Sequence, residues 1–76
     1  MRTEQDILKD FAKLGYSVIL NKNFVVYLRN LGCVMRIDRI TKEYKLYMES
    51  ANDIAVPIKL KEHKLLHELF KCWGWL

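Results

Sequence analysis

The side chains with the most reactive chemistry in this 76-residue chain are two histidines and two cysteines. His63 and His67 are four residues apart in a segment with helical periodicity, so both imidazoles can face one metal ion. A zinc-protease helix also needs a glutamate directly after its first histidine as general base, and Lys64 occupies that position. We therefore predict that the two histidines border the buried face of a helix and that the chain holds no metal and no cofactor.

Cys33 and Cys72 are weak candidates for nucleophiles, because neither has a neighbouring base or helix N-terminus in the sequence to favour the thiolate. Free cysteine commonly serves as a small buried hydrophobe. The glycines Gly15, Gly32 and Gly74 are isolated from one another, so they do not form a phosphate-binding loop. These residues indicate a protein that is not an enzyme and has no small-molecule substrate.

Basic residues interleaved with tyrosines are the strongest candidate binding constellation. From Lys22 to Lys45 six basic residues stand against two acidic ones. Such residues on strands can stack bases and contact phosphates, although interspersed acids and the lack of an RNA-recognition signature are more typical of a solvated sheet face. Nucleic-acid binding is therefore the alternative function, and its candidate residues are Arg29, Arg36, Arg39, Lys42, Lys45, Tyr27 and Tyr47.

Hydrophobic periodicity predicts the elements that position these residues. Apolar residues at helical spacing predict a helix over 3–14, which begins at the cap residue Thr3 and ends at Gly15. A second helix with a wide apolar stripe spans 61–73. Between the helices, β-branched and aromatic residues broken by short polar turns predict strands at 16–20, 24–29, 33–40 and 44–49.

This order predicts a single α+β domain over 1–76, α-β-β-β-β-α, with an antiparallel sheet and both helices packed on one face. Residues 54–60 have an extended pattern, and Pro57 lacks the N–H that a central strand needs. This segment is therefore either an edge strand or a connector. The residues expected on the covered face of strands three and four are Met35, Ile37, Leu46 and Met48.

Overall composition indicates a cytoplasmic protein that does not enter membranes. The net charge is +4, and no apolar stretch approaches the ~20 residues that cross a bilayer. The N-terminal residues are rich in charge and contain no apolar signal region, which predicts a cytoplasmic location.

A small core and surplus apolar residues predict a homodimer. A domain of this length buries only roughly 60% of the surface of its unfolded chain, so a second copy would supply missing apolar contacts. The second strand is apolar on both faces, and two tryptophans stand at the chain end. The residues expected at the dimer interface are Phe24, Val26, Leu28, Trp75 and Leu76.

The segment from Pro57 to Leu76, PIKLKEHKLLHELFKCWGWL, resembles the end of small uncharacterised proteins carried by phages and prophages of Gram-positive bacteria. The resemblance implies a protein that acts by binding a host component. The sequence as a whole thus predicts a non-enzymatic regulatory or inhibitory binding module, a homodimer that engages a macromolecule through its charged sheet face. It favours a protein partner over a nucleic acid.

Overall fold

Five strands follow one another between two helices and form one antiparallel sheet in the order β1-β2-β3-β4-β5. A computed structural model describes residues 2–22 and 24–76. The α+β class, the antiparallel sheet and the flanking helices are confirmed. The elements are α1 (Glu4–Lys13), β1 (Ser17–Asn21), β2 (Val25–Asn30), β3 (Cys33–Asp38), β4 (Glu43–Met48), β5 (Ala51–Ala55) and α2 (Leu60–Cys72).

The ends of α1 follow the predicted capping signals. The Thr3 hydroxyl accepts a hydrogen bond from the Asp6 N–H at 3.2 Å, and the Asp6 carboxylate accepts one from the Thr3 N–H at 3.2 Å. The hydrogen bond from the Thr3 N–H holds the pKa of Asp6 below its usual value. Gly15 has a φ of +100°, and a Cβ there would meet the Asn30 side chain at 3.0 Å. A glycine is therefore required where α1 ends.

The helices run antiparallel on one face of the sheet, and the core lies between them and the strands. The Trp73 indole N–H at the end of α2 donates to Glu4 at the start of α1, at 2.9 Å. None of the described helices is long and apolar enough to span a membrane. The buried core consists of Ile7, Leu8, Phe11, Tyr16, Val26, Leu28, Met35, Ile37, Leu46, Leu66 and Leu69.

Three of the four residues expected on the covered face, Met35, Ile37 and Leu46, are buried. Met48 is paired with Cys33 on the same face, as expected, but it is 40% exposed. Met48 ends β4 beside a register irregularity between β4 and β5.

The chain has a fifth strand, Ala51–Ala55, between the strand predicted at 44–49 and the extended segment predicted at 54–60, and it overlaps the beginning of that segment. Ala51 pairs with Met48, and Ala55 pairs with Tyr47 across the irregularity. This strand contains alanine, asparagine and aspartate, which have low strand propensity, and the turn at 49–50 has no glycine or asparagine to mark it. The sequence left open whether residues 54–60 form an edge strand or a connector. Residues 56–59, including Pro57, form a connector between β5 and α2.

Candidate binding surface

The sheet face opposite the helices presents side chains from three cross-strand rows, and we call it the open face. Side chains alternate between the two faces of a strand, so the residues between the buried core positions belong to it. The rows are Val25–Asp38–Glu43, Tyr27–Arg36–Lys45 and Arg29–Val34–Tyr47.

Arg36 connects the middle row to the turn after β3. Its Nε donates to the Tyr27 hydroxyl at 3.1 Å, and its Nη2 donates to the Asp38 carboxylate at 3.1 Å. Asp38 also accepts from the backbone N–H groups of Thr41 at 3.1 Å and Ile40 at 2.9 Å. The bond from Thr41 contributes most to holding the pKa of Asp38 below its usual value. Each polar group in this chain of contacts therefore has a fixed partner.

Contacts around Tyr47 hold side chains in place on the part of the open face nearest β5. The Lys45 ammonium lies 5.6 Å from the centre of the Tyr47 ring and donates to the Asn52 carbonyl at 2.7 Å. Arg29 donates to Glu49 at 2.5 Å. Burial is the main cause that raises the pKa of Tyr47.

Val34 is only 5% exposed although both helices pack on the other face. Its row neighbours Arg29 and Tyr47 flank it directly. The long side chains of the open face therefore provide part of the cover over Val34. The three rows of the open face contain three basic and two acidic residues. Glu49 pairs with one of the basic residues, so the net charge of the open face is close to zero.

The structure brings five of the seven nucleic-acid candidates together on the open face and separates the other two from it. Arg39 turns to the helical side, where its guanidinium lies 4.3 Å from the centre of the Trp73 ring and pairs with Glu4. It also donates to the Asn21 amide oxygen at 3.2 Å. Lys42 lies in the β3–β4 turn with a φ of +61°. Arg39 thus links the helix ends to the sheet and does not extend the open face.

The structure also divides the residues expected at a dimer interface. Val26 and Leu28 have no exposed surface, because their side of β2 forms the chain's own core, so they are removed from that set. The Trp75 ring stacks on Phe70 with centroids 4.7 Å apart and therefore packs mainly within the chain. Two members of the set remain exposed, Phe24 at 60% and Leu76 at 66%.

The histidine and cysteine side chains do not form a cluster of metal ligands. His63 and His67 are exposed on α2, and Cys33 and Cys72 are half-buried free thiols. Among residues 2–22 and 24–76, no group of three or more histidine, cysteine, aspartate or glutamate side chains is placed to hold a metal ion.

A buried acid on α2 was missed by sequence reasoning. Glu62 is 8% exposed and accepts hydrogen bonds from the Tyr16 hydroxyl and, at 2.7 Å, from the Lys59 N–H. Burial first, and then the bond to Glu62, raise the pKa of the Tyr16 phenol. A glutamate in the first turn of a helix is a capping signal, but the tyrosine that meets it is 46 residues away in sequence.

Comparison of the chain with protein-family models, with curated proteins and with solved structures finds no match. Its function is therefore inferred from its own surfaces.

Proposed function

We propose that this chain is a non-enzymatic binding module that engages a protein partner through the open face. The observation that carries the proposal is a set of tyrosines and basic residues that contact one another on a sheet face covered by neither α1 nor α2. Tyrosine and arginine are enriched among residues that dominate protein–protein binding energy. The resemblance of the C-terminal segment to small phage proteins supports a host macromolecule as the partner and a regulatory or inhibitory role.

The pairing of charges supports a protein partner over a nucleic acid. Arg36 is held by Tyr27 and Asp38, and Arg29 is held by Glu49. A phosphate backbone would have to compete with these acids for each guanidinium, and a near-neutral face attracts polyanions weakly. A protein can instead bury the aromatic surface and keep the existing hydrogen bonds.

The test is quantitative affinity capture from a bacterial lysate with the wild-type chain and variants of the open face. We expect Tyr47→Ser and Arg29→Glu each to reduce capture of a stoichiometric protein partner at least about tenfold, a loss typical of binding hot spots. His67→Ser, on exposed α2, is the matched control and should capture the same partner as the wild type. Equal capture by the wild type and both open-face variants would refute the use of this face.

Nucleic-acid binding is the second candidate, because Tyr27, Arg36 and Lys45 form one continuous row with Tyr47 beside it. This function predicts that oligonucleotide binding weakens steeply with salt. Replacing Arg36 and Lys45 with alanine should then reduce the salt slope by about two phosphate contacts. This candidate function is removed if single- and double-stranded oligonucleotides do not bind at low salt, or if their binding does not depend on the salt concentration.

We also propose that the chain forms a homodimer through the sheet end that carries the β1–β2 and β3–β4 turns. The Arg39 N–H donates to the Phe24 carbonyl at 2.7 Å, which brings Phe24 and Ile40 to the same end. Ile40 is 68% exposed in a turn, where polar residues are usual. Sequence reasoning missed Ile40, although an isoleucine between two polar clusters was the available signal.

Light scattering coupled to gel filtration, at tens of micromolar protein, tests the homodimer. We expect a dimer mass for the wild type and a monomer mass for Ile40→Lys. Leu31→Asn removes an apolar side chain that is 91% exposed at the opposite end of the sheet, so it should remain dimeric. A monomeric wild type would contradict the dimer without bearing on the open face.

A further inference from the structure

Two adjoining depressions form a groove between the end of α1 and the first turns of α2. One has a volume of about 490 Å³ and the other of about 400 Å³, and Leu14 and Lys61 line both. Volumes of this size accommodate several side chains of a ligand. The groove lies on the helical side of the molecule and shares no residue with the open face.

The floor of the groove is apolar, and its leucines are exposed or half-buried. Leu14, Leu60 and Leu65 contribute to it, and Leu60 is 70% exposed. An exposed leucine in the first turn of a helix, beside two other leucines, adds little to the core of the chain. It does provide contact area for an apolar side chain from outside.

The rim of the groove is positively charged, because its acids have partners and three of its four lysines have no ion-pair partner among the described residues. Five basic and three acidic residues line the two depressions, a net charge of +2. Arg2 pairs with both Asp10 and Glu68. The third acid, Glu62, accepts from the Tyr16 hydroxyl within the fold. Of the four groove lysines, Lys13 pairs with Asp10 at 3.6 Å, and the other three have no ion-pair partner in the described part of the chain: Lys59, Lys61 and Lys64.

The beginning of α2 adds to this positive potential. Its N-cap residue is Lys59, whose ammonium cannot accept a hydrogen bond from the N–H groups of the first turn. The positive end of the helix dipole therefore lies at the groove together with the lysines, and Glu62 in the first turn offsets part of it.

We propose that this groove is a docking site for an acidic segment of a partner protein that carries apolar anchor side chains. The leucine floor receives the anchors, and the lysines pair with the flanking carboxylates. The apolar floor favours such a segment over a nucleic-acid backbone, which would use the lysines alone.

Selection of displayed random peptides on the wild-type chain at low salt tests the proposal. We expect enrichment of peptides that combine aspartate or glutamate with leucine, isoleucine or phenylalanine. Binding of an enriched, fluorescently labelled peptide is then measured by anisotropy. We expect the double variant Lys61→Glu/Lys64→Glu to weaken it about tenfold or more, since two attractive charge pairs become repulsive.

Two further variants separate the components of the site. Leu60→Ser should weaken the peptide about threefold to tenfold through lost apolar contact, and its exposure means that the core is unaffected. Lys9→Glu/Lys71→Glu makes the same charge change at exposed helix positions that line neither depression, and it should leave binding unchanged.

Several outcomes would overturn the proposal. The selection could fail to enrich acidic peptides, or the enriched peptide could bind Lys61→Glu/Lys64→Glu as tightly as the wild type. The peptide could also bind Leu60→Ser as tightly as the wild type, while an oligonucleotide of matched charge binds the wild type equally well. The last result would indicate a simple polyanion site. Because Tyr47→Ser and Arg29→Glu leave the groove intact, failure here is distinguishable from failure of the open face.

Discussion

Replacing Tyr16 with phenylalanine removes one hydroxyl from a buried hydrogen bond and leaves the ring in place. Tyr16 is 4% exposed, and its ring meets Phe11 edge to face at 5.7 Å. Its hydroxyl donates to Glu62, which ties the residue before β1 to the first turn of α2. We expect Tyr16→Phe to lower the free energy of unfolding, because the Glu62 carboxylate keeps its burial and loses a donor.

The size of the loss follows from the partners that remain. A hydrogen bond to a charged group contributes roughly 1.5–3 kcal/mol. Glu62 still accepts from the Lys59 N–H at 2.7 Å, so the carboxylate is not left wholly unpaired. We therefore expect a loss of about 2 kcal/mol, which lowers the melting temperature of a domain of this length by about 8–16 °C.

Urea unfolding followed by tryptophan fluorescence at neutral pH measures this loss. Tyr44→Phe is the matched control: Tyr44 is 39% exposed, and its hydroxyl has no hydrogen-bond partner among the described residues. Its free energy of unfolding should stay within about 0.5 kcal/mol of the wild type. Glu62→Gln, alone and combined with Tyr16→Phe, completes a double-mutant cycle, and the two changes should be non-additive because the residues are in contact.

A free energy of unfolding for Tyr16→Phe within about 0.5 kcal/mol of the wild type would refute the reasoning. Strict additivity in the cycle would also do so, since it would show that the hydroxyl and the carboxylate do not interact in the folded chain.

The remaining predictions concern pH and two unusual side chains. The pKa of Tyr16 is raised from its ordinary 10.0, so the contribution of this phenol to stability is complete below pH 10 and is lost as the pH rises above 10. In urea unfolding at alkaline pH, the free energy of unfolding should therefore decline less for Tyr16→Phe than for the wild type. Leu31 has a φ of +54°, a strained conformation for this residue, and Leu31→Asn should raise the free energy of unfolding by about 1 kcal/mol in the same assay. Arg39→Lys keeps the charge but loses the planar stack on Trp73, and calorimetry should show a loss of about 1 kcal/mol, whereas exposed Arg29→Lys should change little.

Features set by neighbours in the chain were predictable from the sequence. The Thr3–Asp6 cap and the glycine that ends α1 depend on residues a few positions apart, so residue type and spacing were sufficient. The alternation of apolar and charged residues in β3 likewise placed Met35 and Ile37 on the covered face.

The fifth strand depended on pairing that the local sequence does not announce. Residues Ala51–Ala55 have weak strand propensity, and they form a strand because β4 presents a free edge for hydrogen bonding. A hairpin without glycine or asparagine at its turn carries no short-range signal.

The amino-acid sequence determined which elements form and which of their faces are apolar, because both follow from residue type and spacing along the chain. Only the tertiary structure decided how the charged residues are used. Arg39 was counted with the basic strand residues, yet its partner Glu4 is 35 positions away and holds it on the helical side. Lys61 and Lys64 of α2 border a groove because α1 ends beside them. Ion pairs and grooves join distant segments, so their geometry exists only once the chain has folded.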